Sequence, residues 1–489
     1  MTNELRVQEE PAVYKVLLDR IASVRESGRD RNSGALIPLP EVAELNPRRF
    51  SNQPLDTDLV SFVPMRAVEE ESGSIDSTSL RPWSEVKKGY TAFQNGDVIV
   101  AKITPCMENG KFALASALHG GRAAGSTEFH VLRAKPELLP KYLLHFIFTP
   151  AVRRAAKMNM KGAAGQLRVP IQFFEGLRIP VPALDAQREI VAYLDEQLSR
   201  LDASVAALHR VQANLKRYRA SVLKSACEGR LVPTEAELAR QEGRDFETGG
   251  RLLLRILAER RERMSALSKQ KEAVSAVTSG FAELPEGWSW ASVEQINLAA
   301  RPCAYGVLQP GNDQPEGVQL VRVGDVNDGR IDIEDLKRID PEIAAAYPRT
   351  KLSGGEVLIT LVGAIGRTAV VPTALAGANT ARAVGVIPLS PHISAHWVEH
   401  WFRNPSTLDR MVAASHEVAR KTLNLEDVRL AAVALPPLAE QHRIVAEADR
   451  RLSLIRVADA QVAANLARAQ RLRQSILQAA FTMPAQAGQ

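Results

Sequence analysis

Residues 151–168, AVRRAAKMNMKGAAGQLR, carry Arg153, Arg154, Lys157, Lys161 and Arg168 without one acidic residue. Such a run suits a polyanion. Lysine and arginine neutralise phosphates without reading sequence, whereas Gln166 can pair bidentately with adenine and Arg168 with guanine. Gly162 and Gly165 favour a loop whose backbone can approach a ligand closely. A solvated helix face is the ordinary reading of a single charge run. In the second half of the chain, however, Arg403, Arg410, His416, Arg420 and Lys421 fill the corresponding region, diluted by Asp409 and Glu417. The recurrence favours DNA contact. Lys111 and Arg367, at equivalent turns (NGK and IGR), are further candidates.

Other chemistries find no support in the residue patterns. No GxxxxGK[ST] phosphate loop and no GxGxxG nucleotide fingerprint occurs. The Asn-Pro-Pro-aromatic tetrapeptide with which amino-methyltransferases hold a flipped adenine is absent, and NPRR (46–49) and NPST (404–407) do not replace it. Glu85-Val86-Lys87 has the ExK form of some nuclease sites, a tripeptide common by chance. His392, His396 and His400, spaced by four, suggest one face of a helix. Their outer pair would lie about 12 Å apart along the axis, too far to converge on one ion, and HExxH is missing. A structural or solvent-facing helix is the expectation. Cys106, Cys227 and Cys303 form no CxxC, so neither a zinc site nor a disulfide framework is expected.

The elements that must position the basic stretches are set by a repeat. Residues 182–227 and 436–481 align without a gap at a shift of 254, with about a third of the 46 positions identical, among them Gln187/Gln441, Asp195/Asp449 and Arg217/Arg471. This is far longer than a solenoid unit and reads as two copies of a domain-plus-helix module. In the first copy Val191, Leu194, Leu198, Leu201, Val205, Leu208, Val211, Leu215, Tyr218 and Val222 step by three or four. In the second, Val445, Ala448, Leu452, Ile455, Val462, Ala469, Leu472 and Ile476 keep the register. Each is a coiled-coil seam on a helix on the order of 60 Å long. Two seams in one chain most simply bury each other as an antiparallel pair.

A chain of 489 residues exceeds a single core. Its 45% hydrophobic and 24% charged content is that of an ordinary globular protein, and the net charge of +6 makes an anionic partner plausible without proving one. MTNELRVQEE is no signal peptide, and no run of about 18 apolar residues is present to span a bilayer. A cytoplasmic location, with no membrane partner, is expected. In order, the reading gives an N-terminal helix (11–26) with the connector that follows it (together 1–35), a first globular domain (36–180), a long helix, polar linker and shorter helix (181–283), a second globular domain (284–434) and a closing long helix (435–489). The two globular domains share a strand plan: FVPMRAV (62–68) matches LVRVGDV (320–326), GDVIVAKI (96–103) matches GEVLITLV (355–362), and NGKFALA (109–115) matches IGRTAVV (365–371). The stretches between them differ freely. The fold class is α+β, with two repeated domains separated by a pair of long antiparallel helices.

PPLAEQHRIV after a globular domain, LPEGW opening the next and a long helix ending SILQAAF resemble the DNA-specificity (S) subunits of type I restriction–modification systems, over essentially the whole chain. The resemblance implies two target-recognition domains, each reading half of a bipartite double-stranded DNA site. It implies helices that dock methyltransferase (M) subunits, two of them, with restriction (R) subunits as further partners. Catalysis, with S-adenosylmethionine, ATP and Mg, would belong to those partners, and this chain would bind no cofactor. The first copy departs from the motif, with Ala186 where the second has Glu440, which leaves open whether that glutamate serves docking. Two rivals are a coiled-coil scaffold, which would bind DNA without sequence preference, and a self-sufficient nuclease or methyltransferase, which would act without partners.

Overall fold

Both copies of the repeat fold as uninterrupted helices of 44 residues, Leu184–Cys227 and Leu438–Phe481, each about 66 Å long. The structure, a computed structural model, describes residues 36–48, 50–75, 79–163, 165–266, 272–298, 301–327, 329–414 and 422–481. The helix expected at 11–26 and its connector lie outside the described residues. The chain divides within both long helices, after His209 and after Val462, into two units. One holds the described residues up to His209 and those from Ala463; the other is Arg210–Val462. Asp202 meets Arg473 at 2.5 Å in the first unit, and Arg219 meets Asp459 at 3.0 Å in the second. Within each unit the two long helices thus lie against each other.

The seams are only partly as expected. Leu194, Leu198 and Val222 are buried on the first helix, and Ala448, Leu452, Ile455, Val462, Ala469 and Ile476 on the second. Val211, Tyr218 and Leu472 are exposed instead. A straight helix drifts about 20° per heptad against a 3.5-residue repeat, so residues in strict seven-residue steps rotate out of the contact. No helix among the described residues is long and apolar enough to cross a membrane.

In the first unit the strand Asp97–Ala101 is buried throughout, and the pleat explains its unbroken apolar run. Val98 and Val100 face a core shared with the helix Pro140–Phe148 and the ends of the long helices, while Ile99 and Ala101 face a second core. One four-stranded sheet runs Ala43–Leu45, Phe129–Ala134, Asp97–Ala101, Phe112–Leu114; the other runs Ser79–Pro82, Leu59–Val63, Arg122–Gly125, Thr91–Gln94. Pro140–Phe148 buries seven of its nine residues, and Pro150–Met158 follows it, capped by Thr149.

The second unit repeats this plan. Val357–Thr360 is again central, between Val384–Ile387 and Thr368–Val370, with Ala304–Tyr305 at the edge. Val357 and Ile359 enter one core and Leu358 another. Val318–Val321 runs parallel to Asn379–Thr380, as Leu59–Val63 does to Arg122–Gly125. The polar linker is more ordered than its composition suggests. Thr234 and Glu237 form a capping box on the helix Glu235–Glu242, which stops at Gly243 in the left-handed region (φ 65°). The shorter helix after it spans Gly249–Ala266.

Candidate nucleic-acid interface

The long helices hold each globular region by the same two contacts. Gln187 accepts the backbone N–H of Leu139 (2.8 Å), the N-cap of Pro140–Phe148, and donates to the Pro182 carbonyl (2.8 Å). Gln441 accepts from Ser394 (3.0 Å), the N-cap of the helix Ala395–Arg403, and donates to the Pro436 carbonyl (2.9 Å). A helix N-terminus has N–H groups with no intrahelical partner, and one buried amide satisfies such a group in each unit. The second contact joins histidine to aspartate: His145 Nε2 lies 3.2 Å from Asp195, and His400 Nε2 lies 3.1 Å from Asp449.

That frame carries the basic stretch. Pro150–Met158 presents Arg154 and Lys157 to solvent, and the chain then folds back as a tight hairpin. Lys161 and Arg168 exchange both backbone hydrogen bonds at 2.9 Å. Gly162 has φ 135°, and a Cβ there would come within 2.8 Å of the Gln166 carbonyl, so glycine is required. Thr104 N–H donates to the Leu167 carbonyl (2.9 Å), fixing the hairpin beyond the end of Asp97–Ala101. The side chains of Arg154, Lys157, Lys161 and Gln166 are exposed and have no partner among the described residues.

The remaining candidates of this unit do other work. Arg168 grips Glu128 through Nε and Nη2, both at 2.9 Å, and this hydrogen bonding holds the Glu128 carboxyl below the usual carboxylate range. Its guanidinium thus ties down the base of the hairpin. Arg153 is half-buried, pairs with Glu71 at 2.8 Å and donates to the Glu108 carbonyl. Lys111 donates to the Val68 carbonyl at 3.0 Å. All three brace the loops from which the free cations project.

A family model described as the type I restriction modification DNA specificity domain matches residues 37–213. The chain is 35% identical to the EcoBI specificity subunit of Escherichia coli, over 62% of this chain and 57% of that relative. It is 28% identical to the EcoEI specificity subunit of Escherichia coli, over 84% and 76%. Over much of its length the chain is similar to type I specificity subunits. Its match to EcoBI spans little more than half of that relative's length. A chain from a solved structure of a type I R-M system superposes with a TM-score of 0.60 at 18% identity, covering 92% of this chain and 98% of that one, which shows the shared fold.

In the second unit, Arg367 is exposed and only grazes the Val326 carbonyl at 3.4 Å. Arg410 donates to the Gly280 carbonyl (2.8 Å) and lies 4.5 Å over the Phe281 ring. Arg420 and Lys421 lie outside the described residues. The histidine trio does not share a helix face. His392 precedes Ala395–Arg403 and sits 2.6 Å from Glu259, His396 is exposed, and His400 is buried. His400 Nδ1 and Nε2 stand 2.7 Å from Glu399 and 3.1 Å from Asp449. Burial pushes this imidazole down, and the two carboxylates outweigh that and raise it to about 9.

Glu440 is likewise internal. It is buried, accepts the Glu235 backbone N–H (2.8 Å) and the Trp288 indole N–H (2.9 Å), and is pushed above the usual carboxylate range by burial. It fastens the linker helix and the LPEGW segment to the second long helix. The sequence signal for this role is the first copy, where Ala186 replaces the glutamate and Gly34 aligns with Trp288. Gln187 and Gln441, by contrast, were visible as an identity in the repeat, but nothing in the sequence showed which N-terminus they cap.

Proposed function

We propose that this chain is the DNA-recognition subunit of a type I restriction–modification complex and reads a bipartite site, one half through the region 36–180 and the other through 284–434. The supporting observation is the duplicated frame. Gln187 and Asp195 hold one globular region as Gln441 and Asp449 hold the other, while the loops carried by the two frames differ. In the first, Arg154, Lys157 and Lys161 neutralise phosphates and Gln166 reads base edges. In the second, Arg367 and Arg410, with Arg420 and Lys421, serve the same end. Lys111, Arg153 and Arg168 position the first set.

The chain is a recognition component without a reaction of its own. Methyl transfer from S-adenosylmethionine to adenine N6, and ATP- and Mg-dependent cleavage, belong to partner subunits. Two methyltransferase subunits dock on the long helices, where Leu454 and Val457 present apolar side chains 60% and 68% exposed. Mapping methylated adenines in cells with and without this chain tests the reading. A two-part motif that disappears with the chain is the expected result; no chain-dependent methylation, or a motif without a gap, contradicts it.

A further inference from the structure

The basic hairpin grows from a defined place in the first unit's sheet. Lys102, just past the central strand, donates its backbone N–H to the Glu128 carbonyl (2.9 Å) and accepts from Val169 (2.8 Å). The second unit repeats this construction without the lysines. Leu361, just past Val357–Thr360, donates to the Ala383 carbonyl (2.8 Å) and accepts from Leu423 (3.0 Å). Val307 pairs with Ala381 beside it, and Arg382 N–H donates to the Val307 carbonyl (2.9 Å).

Four backbone segments thus meet at this end of the sheet, 304–311, 361–367, 380–384 and 422–425, and none contains Asp or Glu. Tyr305 (43%), Leu308 (52%) and Val362 (48%) are exposed there, together with Arg367 and Arg382. Gly363, beside Val362, holds φ +79° with open space where a side chain would stand. Large apolar side chains gathered at one exposed edge mark an interaction surface. Two cations and backbone equivalence with the lysine-bearing hairpin specify nucleic acid as what it meets, and the adjacent Glu426 is paired with Arg429.

We infer that this sheet end, presenting Tyr305, Leu308, Val362, Arg367 and Arg382, is the surface with which the second unit reads double-stranded DNA. This rests on the recognition role proposed above and adds the residues and their chemistry. The arginines hold phosphates. The apolar side chains meet base edges in the major groove, where the thymine methyl is the group they fit. The two halves of the site are then read differently, one by amide and ammonium groups and the other largely by apolar contact.

The test uses the full chain assembled with its methyltransferase subunits, binding duplexes that carry the mapped site or a scrambled one. Arg382→Ala is expected to lower the slope of log affinity against log salt by about one. Val362→Glu sets a carboxylate where an apolar side chain meets the base edges of a polyanion and is expected to weaken binding roughly tenfold or more. Leu308→Ser should relax base preference in one half-site and leave the other intact. Tyr305 is left unchanged because its hydroxyl accepts the Leu425 N–H (2.8 Å). The substituted side chains are exposed, so unfolding midpoints should match the parent. A parent that does not distinguish the two duplexes contradicts the recognition role itself. A discriminating parent whose variants keep its affinity, salt slope and half-site preference overturns this inference. So do variants that bind DNA normally but release the methyltransferase subunits, since the surface would then be a protein-docking face.

Discussion

The turns at Gly73 and Gly329 occupy the same place in the two units and rest on opposite chemistries. Each glycine has a positive φ, 77° and 78°, and each pairs with the strand beside the central one, at Ala113 and Ala369. A Cβ on Gly73 would come within 3.0 Å of Leu144, whereas one on Gly329 would come within 2.6 Å of Arg403 and 2.9 Å of Glu399. The backbone path is kept while the surface beneath it changes from leucine to an ion pair. The same holds at the helix joints: amide caps and histidine–aspartate contacts recur, whereas Glu440 faces a tryptophan and a linker in one unit and is an alanine in the other. A duplicated frame that tolerates such replacement can carry two independent reading surfaces.

The largest departure from symmetry is Glu440. Glu440→Ala strips the acceptor from two buried donors and should destabilise the second unit by about 3 kcal/mol, seen as a lower denaturant midpoint together with loss of hydrogen-exchange protection at 235–242. An unchanged midpoint would mean that the linker is held by other contacts, Glu235 with Arg244 and Arg443 being the alternatives.

Next is pH. His400 is raised from 6.5 to about 9, so the stability it contributes is fully present below about pH 6.5 and is lost as pH rises through 9. Between pH 7 and 9.5 the loss should be on the order of 2 kcal/mol, read as faster amide exchange in 395–403. His400→Gln should abolish that pH dependence; if the variant keeps it, another group is responsible.

The glutamine caps should be equal in the two halves. Gln187→Ala and Gln441→Ala each free one N-cap N–H and should each cost about 1–2 kcal/mol, with exchange rising near 139–143 in one case and 394–398 in the other. A large effect in one unit and none in the other would break the duplication at its joint.

The smallest effects are expected at the hairpin. Lys157→Ala and Lys161→Ala should each lower the salt slope of DNA binding by about one, with folding unchanged. Arg168→Ala should instead loosen the hairpin by removing its grip on Glu128. If the lysine variants keep the parental salt slope, Pro150–Met158 and its hairpin are an ordinary solvated face.

Much of the frame is legible in the sequence because helix periodicity and the repeat are both local signals. Asp97–Ala101 and Val357–Thr360 stand out as apolar runs, and both 44-residue helices follow from the alignment. Charge partners are not local. Residues 151–168 look free of acid along the chain, yet Arg168 meets a glutamate 40 positions away and Arg153 one 82 positions away. The linker shows the reverse case: its T-x-x-E capping box is readable, but a polar composition masks it. Tyr305 and Arg382 carry no local signal at all, since only strand pairing brings their segments together.

The central claim, two independent reading surfaces on one duplicated frame, is tested most directly by replacing residues 36–180 with the equivalent domain of a type I specificity subunit and mapping methylated adenines. The frame predicts that one half of the bipartite motif changes and the other half keeps its sequence. A hybrid that is active yet recognises a motif altered in both halves, or in neither, would contradict it.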